Sequence, residues 1–288
     1  MHKRSSRDNR AELQHLQGED RLQAAVRIMH EGRDLDLVRT AIGILGEAES
    51  PALRDDLIAK YQWCHAQAVR RDGGGYIRAA IVRALRPVSD PADGALFQLA
   101  MSTYEIDGAM ELCGDLRAVG LLAMNDIDPE LAANWAARLM LDPQVTFSGD
   151  PANTAIRLLA SHGNLAPIFG MVSWGTGRSD VLAEGLRNLT DLHADLLPLL
   201  IERYGESEDE QVILGLFELL LGHATRDTWR EWMETWFRIT TVMDLYGIVA
   251  MQVVGSRSEV LITMLQELRE MESDRLRLQM LDQALLLA

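Results

Sequence analysis

A short phrase recurs along the chain and limits what it can fold into. An apolar residue, often followed by arginine, opens a run of small and apolar residues at helical spacing. It reads Val38-Arg39-Thr40-Ala41-Ile42, then Ile77-Arg78-Ala79-Ala80-Ile81, then Leu116-Arg117-Ala118-Val119-Gly120, with successive openings 39 residues apart. Self-similarity at a period of about 20 to 50 residues marks stacked supersecondary units, none of which can bury its apolar face alone. The same anchor position continues at Ala152, Val181, Val212, Leu245 and Leu276, in steps of 36, 29, 31, 33 and 31 residues. Later steps of this size suit a pair of short helices and two turns. The longer early steps imply inserted loops, at Gly73-Gly74-Gly75 and between Asp142-Pro143 and Gly149-Asp150-Pro151.

Inside each unit the opening of a second helix is readable. Ser50-Pro51, Asp90-Pro91 and Asp128-Pro129 place their prolines 13 or 14 residues after the anchors, each behind a side chain suited to an N-cap. The cap oxygen takes an orphan N–H, and proline's fixed φ and missing donor suit the first helical position. Thr225 and Ser258 stand 13 residues after their anchors and are expected to cap the equivalent helices. Trp229, Trp232, Met233, Trp236 and Phe237 recur at i, i+3, i+4, i+7 and i+8, one face of a helix and therefore a core stripe. Strand-like alternation is not sustained anywhere. The expected fold is all-α: about sixteen helices in seven to eight antiparallel pairs, with no sheet. Residues 1–18, basic at their start, are expected as a flexible tail, and 19–288 as a single repeat domain.

The formal charge of −15 bears on partners. Neutralising phosphates with Lys and Arg supplies most non-specific nucleic-acid affinity, so nucleic acid is not expected as a partner. No run approaches the 18 or so apolar residues of a membrane span, and no apolar stretch follows the basic start as a secretory signal would. Cys64 and Cys113, 49 residues apart, form neither a disulfide framework nor a zinc spacing, so a reducing cytoplasm fits. Lys3 and Lys60 are the only lysines among many arginines, which suggests a GC-rich coding sequence and a bacterial source.

The phrase Val38-Arg39-x-x-Ile42 through Leu45-Gly46, followed by a turn and Pro51, resembles the HEAT-like repeats of the phycobilisome-lyase type, within the armadillo-like superfamily. The units anchored at Val38, Ile77 and Leu116 carry the resemblance. From Ala152 onward the arginine is missing and only the apolar spacing persists. The resemblance implies a right-handed α-solenoid with second helices lining a concave groove. Such families serve mostly as protein-binding scaffolds, with a minority acting as bilin lyases or DNA glycosylases.

Candidate contact residues follow from the polar faces of the second helices. They are Gln98, Ser102, Asn134, Arg138, Arg230 and Glu234, each opposite its helix's apolar stripe, with Trp135 among Glu130, Asn134 and Arg138. Arg39, Arg78 and Arg117 share one position; they read either as a ladder for an anionic ligand or as structural residues pairing with acids of the adjacent unit. The second reading is preferred. Trp63 and Tyr104 stand near helix ends, where rings often stay partly exposed. The seven histidines lack ligand spacing, and no nucleophile elbow or phosphate loop is present, so no catalytic residue, metal or cofactor is expected. Gly175 to Asp180 reads as an inter-repeat turn with Ser179 or Asp180 as N-cap. Leu285 and Leu286, in the run Ala284-Leu285-Leu286-Leu287-Ala288, either close the last core or dock on another chain or a second copy. The expected function is a non-enzymatic scaffold for a protein or peptide partner, basic partners being favoured. The alternative is a HEAT-type enzyme using groove aromatics and a carboxylate.

Overall fold

The computed structural model of the chain describes residues 6–144, 146 and 148–288. Among these it is helical almost throughout. Where the repeats predict one domain over 19–288, contacts within the chain cluster into two compact units, Met1–Leu158 and Leu159–Ala288.

The first unit contains α1 (Ser6–His15), α2 (Gly18–Glu31), α3 (Leu35–Glu47), α4 (Arg54–His65), α5 (Ala68–Asp72), α6 (Tyr76–Leu85), α7 (Gly94–Met101), α8 (Gly114–Ile127) and α9 (Pro129–Leu139). Helix α10 (Ala152–Ser161) carries the boundary. The second unit holds α11 (Leu165–Trp174), α12 (Ser179–Arg187), α13 (Leu197–Tyr204), α14 (Glu210–Gly222), α15 (Arg230–Ile239), α16 (Met243–Gly255), α17 (Glu259–Met271) and α18 (Arg275–Leu285). The eighteen described helices exceed the expected sixteen because α1 forms within the expected tail and α5 forms ahead of Gly73. Leu13 of α1 is buried, and Glu12 accepts from Arg27 Nη2 at 2.6 Å. Residues 1–5 of that tail lie outside the described residues.

Every anchor residue falls on a helix of one kind. In the first unit α3 packs on α6 and α6 on α8; in the second α12 packs on α14, α14 on α16 and α16 on α18. Val38, Ile77, Leu116, Val181, Val212 and Leu245 are buried in these contacts, whereas Leu276 of α18 is exposed. The helices approach closely where a side chain is missing. A Cβ on Gly46 would stand 2.9 Å from Ala84 Cα, and one on Gly215 would stand 2.8 Å from Ala183 Cα and O.

The caps divide the expected group. Asp90, Asp128 and Ser258 accept from the backbone N–H of Ala92, Leu131 and Leu261 respectively. Ser50 and Thr225 make no such side-chain bond. Thr225 instead receives the His223 ring, whose Nδ1 lies 2.8 Å from its hydroxyl and also accepts from its N–H. Ser179 is the first residue of α12, and neither it nor Asp180 is the N-cap; that place belongs to Arg178.

One expectation fails locally. Residues Ile106–Asp107 (β1) and Met110–Glu111 (β2) form a two-stranded antiparallel ribbon turned at Gly108, whose φ is +60°. Two residues per strand are too few for alternation to register in the sequence. In the second unit the tryptophan stripe is only partly core: Met233, Trp236 and Phe237 are buried, while Trp229 and Trp232 stay half-buried. Phe217 of α14 gathers the rings, lying 4.8 Å from Trp236 and 5.3 Å from Trp232.

Candidate functional site

The contact residues chosen from the sequence stand on separate helices of each unit, α7 and α9 in the first and α15 and α18 in the second. Gln98 and Ser102 are exposed on α7 and at its end, with Ser102 Oγ donating to the Gln98 carbonyl at 2.8 Å. On α9, Asn134 donates to the Glu130 carbonyl at 3.1 Å, and the Arg138 guanidinium lies 5.0 Å from the centroid of a half-buried Trp135. Arg230 pairs with Glu267 of α17, and Glu234 with Arg238 at 2.6 Å. These polar groups are largely engaged with near neighbours. At α18, Leu281 and Ala284 are buried and Leu285 half-buried, while Leu286 projects with 84% of its surface exposed.

The three repeat arginines divide. Arg39 is half exposed and lies 3.7 Å from Asp36 on its own helix. Arg78 and Arg117 are wholly buried. Arg78 Nε donates to Asp72 Oδ2 at 2.8 Å and its Nη2 to Glu105 Oε1 at 2.5 Å. Asp72 also accepts from the N–H groups of Ile77 and Arg78, so one carboxylate caps α6 and pairs with its arginine. Arg117 donates to the Thr103 carbonyl at 3.0 Å and approaches Glu111 at 2.7 Å, off the hydrogen-bond direction, and Asp142 at 3.4 Å. Glu111 accepts from the N–H groups of Glu105 and Cys113. The structural reading of the arginines therefore holds for two of the three. Their carboxylates come from loops the repeat phrase does not include.

Asp72 ends α5, and this anchoring positions a second feature that the sequence reading did not single out as a site. The buried face of α4 reads Leu57, Lys60, Tyr61 and Cys64, at i, i+3, i+4 and i+7. Lysine occupies a core position, with only 4% of its surface exposed. Burial pushes its amine below the ordinary value, and the neighbouring Arg71 adds to the shift. The amine lies 4.3 Å from the centroid of the Trp63 ring. The Arg71 guanidinium lies 4.2 Å from the same centroid and donates to the Trp63 carbonyl at 2.6 Å, near the negative end of α4.

Lys60, Trp63, Arg70 and Arg71 line a cleft of about 680 Å³ together with Arg33, from the α2–α3 turn, and apolar Leu35, Val38 and Ile77. Glu31 is the one acidic residue on its wall, and His30 at its edge is 3.3 Å from Asp56. The signal was present in the sequence as a lysine inside an apolar stripe, three residues from tryptophan and ten from an arginine pair. Its meaning depended on α5 folding back beside the end of α4.

The two thiols lie next to these charges but inside the core. Burial pushes Cys64 up to about 11 and Cys113 up to about 12, so both are held protonated. Among the described residues no group of three His, Cys, Asp or Glu side chains is placed to hold a metal, and no helix is long and apolar enough to cross a membrane. No family model matches the chain, no curated protein matches it in sequence, and no solved structure matches it in fold.

Proposed function

We propose that the chain is a non-enzymatic scaffold of HEAT-like helix pairs that holds a protein or peptide partner on its second helices. The rows α3–α6–α8 and α12–α14–α16–α18 are read as the convex stacks of two stretches of right-handed solenoid, whose second helices line the concave side. One observation carries the reading. A large apolar side chain is exposed at, or within two residues of, the end of five second helices: Trp63 of α4, Leu141 after α9, Trp174 of α11, Ile239 of α15 and Met271 of α17. Scattered exposed apolar residues are normal, but recurrence near the ends of second helices within each unit marks positions kept for contact. Trp174, 77% exposed, is the clearest anchor, since tryptophan buries a large area at little entropic cost when a partner covers it.

The charge of −15 favours a basic partner and speeds its encounter. Leu285 and Leu286 offer a smaller patch, which in this reading takes a second copy of the chain.

The test is affinity capture with the intact chain, followed by reconstitution with the purified partner. Trp174→Asp and Ile239→Asp are expected to weaken that complex about tenfold or more, with helical content unchanged. Retained binding in both variants, or no partner at all including a second copy, overturns the proposal.

A further inference from the structure

A lone ammonium on the core face of a helix needs compensation, because burying an unpaired charge costs several kcal/mol even after relaxation. Three outlets exist: a carboxylate partner, loss of the proton, or an anion from outside. Among the described residues no carboxylate lies within 4.0 Å of Lys60, Arg33, Arg70 or Arg71. The Trp63 face compensates Lys60 only in part, since a cation over an aromatic ring is worth about 0.5–2 kcal/mol. Elsewhere on this acidic chain arginines find acids readily: Arg27 with Glu12, Arg54 with Asp93, Arg86 with Asp126 and Arg187 with Glu218. On the wall of the cleft beside α4 the balance is inverted, with four cations and Glu31 alone among acids, while Asp72, paired with Arg78, acts on Lys60 from farther off.

We propose that this cleft binds a small organic anion carrying two or more phosphate or carboxylate groups, one resting on Lys60 and the others on Arg33 and Arg70. The placement of the cations separates their tasks. Lys60 is nearly covered and meets what enters deepest, whereas Arg33 and Arg70 are exposed at the opening. Guanidinium groups hold either kind of oxyanion bidentately, so phosphate and carboxylate share the same recognition chemistry. Leu35, Val38, Ile77 and the edge of Trp63 supply apolar wall for the organic body.

Size and field both favour a small ligand. A cleft of about 680 Å³ falls within the roughly 300–1,000 Å³ of small-molecule sites. A long polyanion would extend over a surface whose net charge is −15, whereas a small one feels the local cations within a Debye length of about 8 Å. This inference stands apart from the scaffold reading, because it needs no partner protein and shares only Trp63 with the exposed apolar positions.

The test is calorimetric titration of the full chain with pyrophosphate and, separately, with citrate, against sodium chloride at matched ionic strength. At least one probe is expected to saturate at one site per chain, and the arm that does so identifies phosphate or carboxylate as the recognised group. Lys60→Met is expected to weaken that binding about tenfold or more, while its thermal midpoint without ligand stays equal or rises, since the methionine fills the space without a buried charge. Arg70→Gln, on an exposed side chain, is expected to weaken binding several-fold with stability unchanged. The proposal is overturned if neither probe saturates beyond the salt control, or if both variants bind as the parent does. A six-residue glutamate peptide is run alongside. If it binds more tightly than both probes, the assignment to a small molecule fails.

Discussion

The Arg117 guanidinium lies 4.0 Å from the centroid of the Tyr104 ring, and the Tyr104 hydroxyl donates to Asp142 at 2.9 Å, the same carboxylate that stands 3.4 Å from Arg117. Three segments separated in sequence thus share one charge: the strand-like ribbon after α7, the anchor helix α8 and the loop after α9. With Arg78, Asp72, Glu105 and Glu111 they form a polar seam through the first unit. Such a seam is sensitive to the loss of one member, because what remains is a buried charge without its partner.

Arg78→Met is accordingly expected to destabilise the protein by about 3–5 kcal/mol, leaving Asp72 and Glu105 uncompensated. Adding Asp72→Asn is expected to recover part of this loss, although the amide cannot serve both N–H groups that Asp72 now satisfies. Urea unfolding of the two single variants and the double variant measures the coupling.

Two glycine substitutions are expected to act in opposite directions. Gly215→Ala places a methyl 2.8 Å from the Ala183 backbone, which is rigid, so it should destabilise by about 1–3 kcal/mol. Gly43→Ala, on the exposed side of α3 with nothing within 4 Å, should stabilise by up to about 1 kcal/mol through helix propensity alone. Thermal midpoints of the two variants decide this directly.

Alkaline pH is expected to destabilise the chain. Burial raises Cys64 from 9.0 to about 11, Cys113 from 9.0 to about 12 and Tyr246 from 10.0 to about 12. The native state keeps these protons while the unfolded chain releases them, so their contribution is complete below about pH 9 and is lost as pH rises toward about 12. The slope is about 1.4 kcal/mol per group per pH unit inside that window. Urea midpoints between about pH 8 and about pH 11 give the profile. Both thiols should also resist an aromatic disulfide reagent at pH 8 until the protein is unfolded.

Phe217→Ala is expected to cost about 3–5 kcal/mol, since its fully buried ring touches Trp232, Trp236 and Phe237 at once. Near-ultraviolet circular dichroism should lose the tryptophan signal of α15 in the same variant, even under conditions where the far-ultraviolet signal persists.

What the sequence made legible was the part governed by period and local chemistry. The anchors Val38, Ile77, Leu116, Val181, Val212 and Leu245 all lie buried in α3, α6, α8, α12, α14 and α16, because spacing at i, i+3 and i+4 fixes which face turns inward. Asp128 and Ser258 cap as read, because a cap concerns only its next three residues. The arginines show the limit. Arg39 and Arg78 hold identical places in the phrase, yet one is half exposed and the other sealed, and the difference lies in Asp72 and Glu105, which belong to insertions. Trp63 was visible as a partly exposed ring, but not its convergence with Lys60, Arg70 and Arg33, which requires the α5 turn and the α2–α3 turn to meet. Of the polar residues chosen on the second helices, Gln98, Ser102, Asn134 and Arg138 are exposed and Arg230 and Glu234 half-buried, the last two in ion pairs with Glu267 and Arg238.

A row of helix hairpins joined by apolar contact alone can unzip from one end, each step exposing only the next interface. The seam of Arg78 and Arg117 removes that option between residues 72 and 142. Detaching the ribbon, α6 or the loop after α9 by itself strands a cation or a carboxylate in a dry interior. These segments should therefore open together, and amide hydrogens across them should exchange at one common rate.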